Sequence, residues 1–333
     1  MSKNTLLQAT PIYKPFTYPW AYDAWLIQQR MHWIPEEVPL GEDVKDWQHN
    51  LLPNEKHLLT QIFRFFTQSD IEVNNCYMKH YSRVFKPTEI LMMLSAFSNM
   101  ETIHIAAYAY LLDTVGMPEV EYQAFLSYKE MKDKYDYMQI FNTNTKKDIA
   151  LTLSVFGAFT EGLQLFASFA ILLNFPRFGK MKGMGQIITW SVRDESLHAE
   201  YIIKLFKTFV EENPEVLDQD LKDQIYHACS SIVTFEDAFI DLAFGLGDVE
   251  GLAAQDVKQY IRYIADRRLQ QLDLQPIYHV NEHPLDWLNE MLNAPEHTNF
   301  FENRATEYSK YLSDEESWDE MFERVHKVDL KLS

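Results

Sequence analysis

Four stretches of this chain share one pattern, an apolar helical stripe that carries an acidic residue near its middle. Each stripe alternates steps of three and four residues, the spacing that lines side chains along one face of an α-helix. The first stripe consists of Phe63, Phe66, Asp70, Val73 and Tyr77. The acids, with the histidine that follows two of them three residues later, are Asp70, Glu101 with His104, Glu161, and Glu195 with His198. The pattern predicts four helices whose buried faces each hold a carboxylate.

The composition favours an all-α fold. Only 10 glycines and 13 prolines occur in 333 residues, whereas sandwiches and barrels use these residues at most hairpins. With 47% hydrophobic residues, the chain can bury a large core. No linker rich in glycine and serine divides it. We therefore expect one helical domain over residues 20–295, an N-terminal arm over residues 1–19, and a polar, acidic C-terminal tail over residues 296–333.

The four acids need positive charge near them. An unpaired buried carboxylate costs several kcal/mol, and a typical domain is stable by only about 5–15 kcal/mol. No lysine or arginine lies on the stripes, so the natural counter-charge is a pair of divalent metal ions. Four carboxylates and two imidazoles, with Glu-x-x-His on two of the helices, are the ligand set of dinuclear iron or manganese bundles. The sequence therefore predicts a dinuclear metal site in the core of a helical bundle.

Glu-x-x-His by itself is a weak signal, because eleven histidines would produce roughly one such pair by chance. Glu323 with His326, in the acidic tail, follows no apolar helix and is interpreted as solvent-exposed. The other two pairs stand out because each is centred in a long apolar helix and follows a helix with a single acid. Two alternatives stay open, a surface position for Asp70 and a packed, non-ligating His104.

Tyr108 lies on the same stripe as Glu101 and His104, one turn beyond His104, and is expected to face the metals. Tyr110, two residues further on, points to the other side of the helix. A tyrosine on an apolar helix is usually a packing residue. The spacing alone leaves both packing and a redox role open for Tyr108.

Charge, cysteine usage and hydropathy indicate the compartment. The net charge of -19 gives no electrostatic support to binding of nucleic acid or of an anionic membrane surface. Cys76 and Cys229 match no metal or redox spacing and are interpreted as buried free thiols. The first residues contain no apolar signal sequence, so we expect a cytoplasmic protein. Residues 149–175 are apolar enough to span a membrane, but Glu161 at their centre favours a buried helix of a soluble protein.

Two segments carry a family resemblance. SNMETIHIAAYAYLLD contains the first Glu-x-x-His pair and Tyr108, and SVRDESLHAEY contains the second pair, preceded by Asp194. Both resemble the signature segments of the small, radical-generating (beta) subunit of class I ribonucleotide reductase. The similarity extends to HWIPEEV, TEGLQLFASF, YIRYIADRRL and TNFFENRATEYS, and it covers most of residues 20–310.

The resemblance implies a ferritin-like helical bundle, a homodimer, and a large (alpha) partner subunit that reduces ribonucleotides. It also implies two iron ions per chain, oxo-bridged when oxidised, that react with oxygen to oxidise a tyrosine. Carried over residue by residue, the tyrosine is Tyr108, and the metal ligands are Asp70, Glu101, His104, Glu161, Glu195 and His198. An electron-transfer chain to the large subunit would use Trp33, Asp194 and Tyr308.

Variants within and outside the family leave alternatives open. Members that keep a tyrosine can store the oxidising equivalent on two manganese ions, so manganese is an alternative to iron. Tyr311 lies three residues from Tyr308 and could take its place in the tail. A dinuclear-iron oxygenase or desaturase shares the carboxylate and Glu-x-x-His arrangement and is the main alternative function.

Overall fold

The computed structural model describes residues 5–9 and 11–292, which form helices joined by short loops. The α-helices of this part are α1 Pro19–Arg30, α2 Gly41–Lys45, α3 Pro53–Asn75, α4 Ser82–Val84, α5 Thr88–Val115, α6 Glu119–Gln123, α7 Lys129–Met138, α8 Lys146–Leu153, α9 Leu165–Arg177, α10 Lys182–Glu212, α11 Gln219–Ala243, α12 Ala254–Gln271 and α13 Asp286–Leu292. Short 3-10 turns occupy Pro35–Glu37, Ala124–Ser127 and Pro214–Val216. These described residues contain no strand, only an isolated bridge between Val249 and Leu252. The predicted all-α class is confirmed.

Three segments wind more widely, as π-helix, in which each hydrogen bond spans five residues. They are Asp46–Asn50, Cys76–Tyr81 and Ser154–Gln164. The third joins α8 to α9, so the apolar stretch that the sequence predicts as one regular helix changes its winding in the middle. The three-and-four spacing through Ala158 and Glu161 therefore does not define a face there, and every residue of the segment is buried.

Prolines and glycines mark several helix ends, as the sequence predicts. Helix α3 begins at Pro53, and α5 begins directly after Pro87. Helix α5 stops at Gly116, whose φ of 75° lies in the left-handed region that glycine adopts without strain. Pro176 differs from the expectation, because it lies inside the last turn of α9, which ends one residue later.

Helices α5 and α10 and the π-helical segment Ser154–Gln164 form the centre of the fold. Helix α10 packs along this segment and along α9, while α1 and α3 pack against α5. Met1–Pro284 form one compact unit, and Leu285 begins a second, in which α13 is described. The first unit carries all the acidic residues that the sequence predicts as metal ligands.

The sequence predicts that the long apolar stretch and the two cysteines are buried. In the described part of the chain, two helical stretches are long and apolar enough to cross a membrane. In the more apolar one, Lys146–Arg177, every residue of the most apolar window is buried inside the protein. In the other, Thr88–Val115, 56% of that window is buried. Such burial is what core helices of soluble proteins show. Cys76 and Cys229 are both buried and free, which confirms their interpretation as unpaired thiols.

Candidate metal centre

The six candidate ligands come from four helical segments that meet at one place in the core. Helix α3 supplies one, α5 two, the π-helical segment one and α10 two, in the order Asp70, Glu101, His104, Glu161, Glu195 and His198. None of the six is more than 1% exposed. This burial excludes the surface position that the sequence left open for Asp70.

Glu101 and Glu195 lie between the two histidines. Glu101 directs Oε1 toward His198 Nδ1 at 2.9 Å and Oε2 toward His104 Nδ1 at 3.7 Å. Glu195 directs Oε1 toward His104 Nδ1 at 3.1 Å and Oε2 toward His198 Nδ1 at 3.7 Å. Carboxylates that reach both histidines can bridge two ions. Among the described residues, two groups are close enough to hold an ion: Glu101, Glu161, Glu195 and His198 form one, and Asp70, Glu101 and His104 form the other.

Most of the atoms that face the middle of the cluster make no hydrogen bond of normal geometry. Within residues 5–9 and 11–292 this holds for Asp70 Oδ2, both oxygens of Glu101, His104 Nδ1, Glu161 Oε2, Glu195 Oε2 and His198 Nδ1. Buried polar atoms in proteins nearly always have a bonding partner. A set of such atoms that face one another without partners therefore indicates a partner that they share. Oxygen donors with one imidazole nitrogen per ion suit iron or manganese. The residues present therefore fit a pair of metal ions.

Each histidine is held from the outside through its second ring nitrogen. His104 Nε2 donates to Asp194 Oδ2 at 3.2 Å, and His198 Nε2 donates to Gln28 Oε1 at 3.1 Å. Because the outer nitrogens carry these hydrogens, the inner Nδ1 atoms are the ones that can bind metal. Gln28 Nε2 also donates to Asp194 Oδ1 at 3.2 Å, so one continuous network orients both rings.

Asp194 connects this network to Trp33. Trp33 Nε1 donates to Asp194 Oδ2 at 2.8 Å, the same oxygen that accepts from His104. The ring centroids of Trp33 and His104 are 6.0 Å apart, and both side chains are buried. Burial raises the pKa of Asp194, but Arg193 and His104 outweigh it and hold that pKa at about 2. Asp194 is therefore a buried anion that links Trp33 to His104, one of the candidate ligands.

The buried charges of the cluster shift their own pKa values in the metal-free protein. Burial lowers the pKa of His198, but the facing carboxylates of Glu101 and Glu195 outweigh it and raise that pKa to about 10. Burial raises the pKa of Asp70 and of Glu161 well above the usual range for a carboxyl group. Without metal, protons therefore supply part of the missing positive charge.

Tyr108 lies beside the Asp70 end of the cluster. Its side chain is 2% exposed, and its ring centroid is 6.3 Å from that of His104. The hydroxyl donates to Ser191 Oγ at 3.0 Å, and the ring of Phe66 packs against it at 4.7 Å. Burial, with a smaller contribution from Asp70, raises the pKa of the phenol well above its usual value. Tyr108 is thus a neutral phenol in a dry, aromatic pocket next to the cluster.

A second tyrosine, Tyr77, contacts the other end of the cluster. Its hydroxyl donates to Glu161 Oε1 at 2.5 Å, and its ring lies edge-on to the His198 ring. Burial raises the pKa of this phenol well above its usual value. The cluster therefore lies between two buried tyrosines, of which Tyr77 is hydrogen-bonded to a candidate ligand.

The sequence did not indicate the roles of Gln28 and Tyr77. Gln28 is 166 and 170 residues away from its two partners, and nothing in its surroundings in α1 marks it. Tyr77 is the last residue of the first stripe, two turns after Asp70, and that position could have pointed to it, although the spacing predicts only packing. The predicted Tyr308 and its alternative Tyr311 lie outside the described residues.

Comparison with known proteins identifies the family. The family model for the ribonucleotide reductase small chain matches residues 12–284. The chain belongs to this family. A probable ribonucleoside-diphosphate reductase small subunit of Invertebrate iridescent virus 6 is 43% identical, and the alignment covers 96% of this chain and 99% of that protein. As a small subunit of ribonucleoside-diphosphate reductase, the chain is a component of an oxidoreductase.

Solved structures of small subunits share the fold. The R2 subunit of ribonucleotide reductase from Clostridium botulinum has a TM-score of 0.81 and 22% identity, with 87% of this chain and 94% of that chain covered. The dimanganese(II)-NrdF of Streptococcus sanguinis has a TM-score of 0.66 and 19% identity, with 84% and 99% covered. The implied ferritin-like helical fold is confirmed.

Proposed function

We propose that this small subunit holds a dinuclear iron centre and that Tyr108 carries the radical that its large (alpha) partner subunit uses to reduce ribonucleotides to deoxyribonucleotides. The proposed ligands are Asp70, Glu101, His104, Glu161, Glu195 and His198. The observation that supports the centre is the convergence of their buried, unpartnered donor atoms on one place in the core. When bound, the two ions supply the reduction of oxygen and an oxidising equivalent for a neighbouring side chain.

Tyr108 is positioned to keep a radical away from water. Phe66 covers one face of its ring, and Ser191 Oγ accepts the hydrogen bond of its hydroxyl. The raised pKa keeps the phenol protonated until it is oxidised. A phenol so enclosed would be shielded from water and from reductants in solution.

Trp33, Asp194 and Tyr308 are the proposed route from Tyr108 to the large subunit. Within the described residues, Asp194 Oδ2 accepts hydrogen bonds from both Trp33 and His104, which couples the two rings through one oxygen. The low pKa of Asp194 keeps that oxygen an acceptor at neutral pH. Tyr308 would continue the route from the tail over residues 296–333.

The test is the optical spectrum after ferrous iron and air are added to the metal-free protein. We expect a sharp tyrosyl-radical band that the Tyr108→Phe variant lacks. This variant loses only a hydroxyl, so its stability should change by about 1 kcal/mol or less, with metal content and oxygen consumption close to the parent. Its nucleotide reduction with the large subunit should collapse. Tyr110→Phe, a partly exposed residue two positions away, is the matched control and should keep normal activity.

The outcome also discriminates between the alternatives. If Tyr108→Phe kept substantial activity, the oxidising equivalent would reside on the metals, which favours manganese, the metal named for the S. sanguinis relative. If the parent formed no radical band with iron or manganese and supported no nucleotide reduction, a dinuclear-iron oxygenase or desaturase would be the better assignment.

The remaining proposals concern assembly. A homodimer is supported by the family resemblance and by an exposed stripe of short side chains along α5, made of Ser95, Asn99, Thr102, Ala106 and Ala109.

The domain limits 1–19, 20–295 and 296–333 and a cytoplasmic location remain as proposed from the sequence. The net charge of -19 gives no reason to propose a nucleic-acid or membrane partner.

The tail is the proposed docking segment for the large subunit. Trp318, Met321, Phe322 and Val325 recur at helical spacing in an acidic surrounding, although they lie outside the described residues. A short apolar face of this kind can fold into a groove of a partner. A synthetic peptide of residues 314–333 should therefore compete with the full chain for the large subunit. No competition at high peptide excess would contradict docking through the tail.

A further inference from the structure

Glu161 has one of its two oxygens occupied by a tyrosine hydroxyl. Tyr77 donates to Glu161 Oε1 at 2.5 Å, while Oε2 is buried and has no hydrogen-bond partner among the described residues. The nearest approach of His198 Nδ1 to Oε1 is 4.0 Å, so the histidine does not replace the tyrosine there. The two oxygens of this carboxylate are therefore distinct, since one is held and the other is free.

Packing fixes the tyrosine that makes this hydrogen bond. The Tyr77 ring is 2% exposed and lies edge-on to three neighbouring rings, those of Tyr81, Phe97 and His198. Tyr77 and Glu161 both lie on π-helical segments, Cys76–Tyr81 and Ser154–Gln164. Such wide turns re-aim side chains and are frequent at functional sites.

We propose that Tyr77 is a positioning residue of the metal centre, which holds Glu161 Oε1 and leaves Oε2 alone to bind metal. The inference rests on the proposed function, because it assumes that Glu161 is a ligand. A carboxylate that is free at both oxygens can rotate and bind through either or both of them. A carboxylate tied at one oxygen offers a single donor atom in one direction, as partners of metal ligands generally ensure.

The test uses Mn²⁺ alone, added to the metal-free full chain in the absence of oxygen. The electron paramagnetic resonance signal of the free ion then reports how much is bound. The parent should bind two ions per chain, and Tyr77→Phe should bind one of them about tenfold or more weakly. Tyr81→Phe is the matched control. Tyr81 lies four residues after Tyr77, and its hydroxyl donates to the backbone oxygen of Thr152 at 3.3 Å. It should bind both ions as the parent does.

A second pair of variants tests the opposite effect, in which loss of the Tyr77 hydroxyl strengthens metal binding. In Glu161→Gln, the Tyr77 hydroxyl should hold the amide oxygen and turn the amide nitrogen, which cannot bind metal, toward the ions. Binding of one ion should then be weaker than in Tyr77→Phe. Adding Tyr77→Phe to Glu161→Gln frees the amide to rotate and present its oxygen, so the double variant should bind more tightly than Glu161→Gln alone. A purely structural role of Tyr77 predicts no such recovery.

The outcomes separate this proposal from the proposed function. Two tightly bound ions in the parent with unchanged binding in Tyr77→Phe would overturn only the role of Tyr77. The role of Tyr77 would also be overturned if the double variant bound metal no better than Glu161→Gln. It would likewise be overturned if metal-free Tyr77→Phe no longer melted cooperatively, because the weaker metal binding would then result from lost packing. A parent that does not bind two ions would overturn the metal centre together with this inference.

Discussion

Buried acids occur in two kinds of surroundings in this molecule. Away from the cluster, the fold supplies each acid with a partner. Asp43 accepts hydrogen bonds from the backbone N–H groups of Gly183 and Met184 at the start of α10, at 2.9 and 2.7 Å. Glu236 faces the ammonium group of Lys134 at 2.6 Å, with both side chains fully buried. These acids are explained by the protein alone.

The acids of the cluster are not explained in that way. Within the described part of the chain, their ion pairs involve the two histidines and no lysine or arginine, and most of their inward oxygens make no hydrogen bond of normal geometry. Burial of a carboxylate therefore does not by itself indicate a metal ligand. The indication is a set of buried oxygens for which the fold provides neither a cation nor enough N–H groups.

The largest effect on stability is expected at the buried ion pair of Glu236 with Lys134. Glu236→Gln leaves the Lys134 ammonium between the rings of Phe65 and Phe239 without its counter-ion. Removing one partner of a buried ion pair costs about 3–5 kcal/mol, so the free energy of unfolding should fall by that amount in denaturant titrations. The number of metal ions bound by the folded protein should stay the same.

The control for this prediction removes both charges. Glu236→Leu combined with Lys134→Met should recover most of the lost stability, because no unpaired charge remains in the core. A Glu236→Gln protein as stable as the parent, or one that had lost its metals while still folded, would break the distinction between the two kinds of acid.

An intermediate effect is expected within the cluster. Burial already raises the pKa of Glu161 in the metal-free protein, which means that its charge is disfavoured there. Glu161→Ala, and likewise Glu195→Ala, should lower metal occupancy, measured by metal analysis after reconstitution, without unfolding the protein, because the remaining ligands then have less negative charge with which to hold the ions. Asp113→Ala, an exposed acid on α5, is the control. Fully loaded protein after both cluster substitutions would refute the proposed ligand set.

Much of the fold and of the cluster could be predicted from the sequence, because both leave a periodic signal. The three-and-four spacing around Asp70, Glu101 and Glu195 predicted buried faces, and the structure buries all three acids. For Glu161 the spacing was not valid, since its segment is π-helical, but the uniformly apolar surrounding led to the same burial. Their role as ligands stays a prediction that metal analysis can test.

The rest depends on contacts between residues that are distant in sequence. The hydrogen bonds of Gln28 to His198 and of Tyr77 to Glu161 join elements 170 and 84 residues apart, and no local pattern records them. The buried Lys134 likewise lies on α7, a short and mostly polar helix whose sequence resembles a solvent-exposed one. Local periodicity therefore shows that an acid is buried, whereas only the packed structure shows whether the acid has a partner.

The smallest expected effect is the number of protons that metal binding releases. In the metal-free protein the pKa of His198 is raised to about 10, so this group holds a proton that a metal ion must replace, and burial raises the pKa values of Asp70 and Glu161, which favours their protonated forms. Calorimetric titration with Mn²⁺ near pH 7, in two buffers of different ionisation enthalpy, should show release of about one proton or more per chain. Metal affinity should accordingly rise with pH and fall in acid. Glu161→Ala, which removes one carboxyl group whose pKa is raised, should release fewer protons than the parent. Identical heats in both buffers would mean that the cluster is already deprotonated, and the excess of buried negative charge would then need another source of compensation.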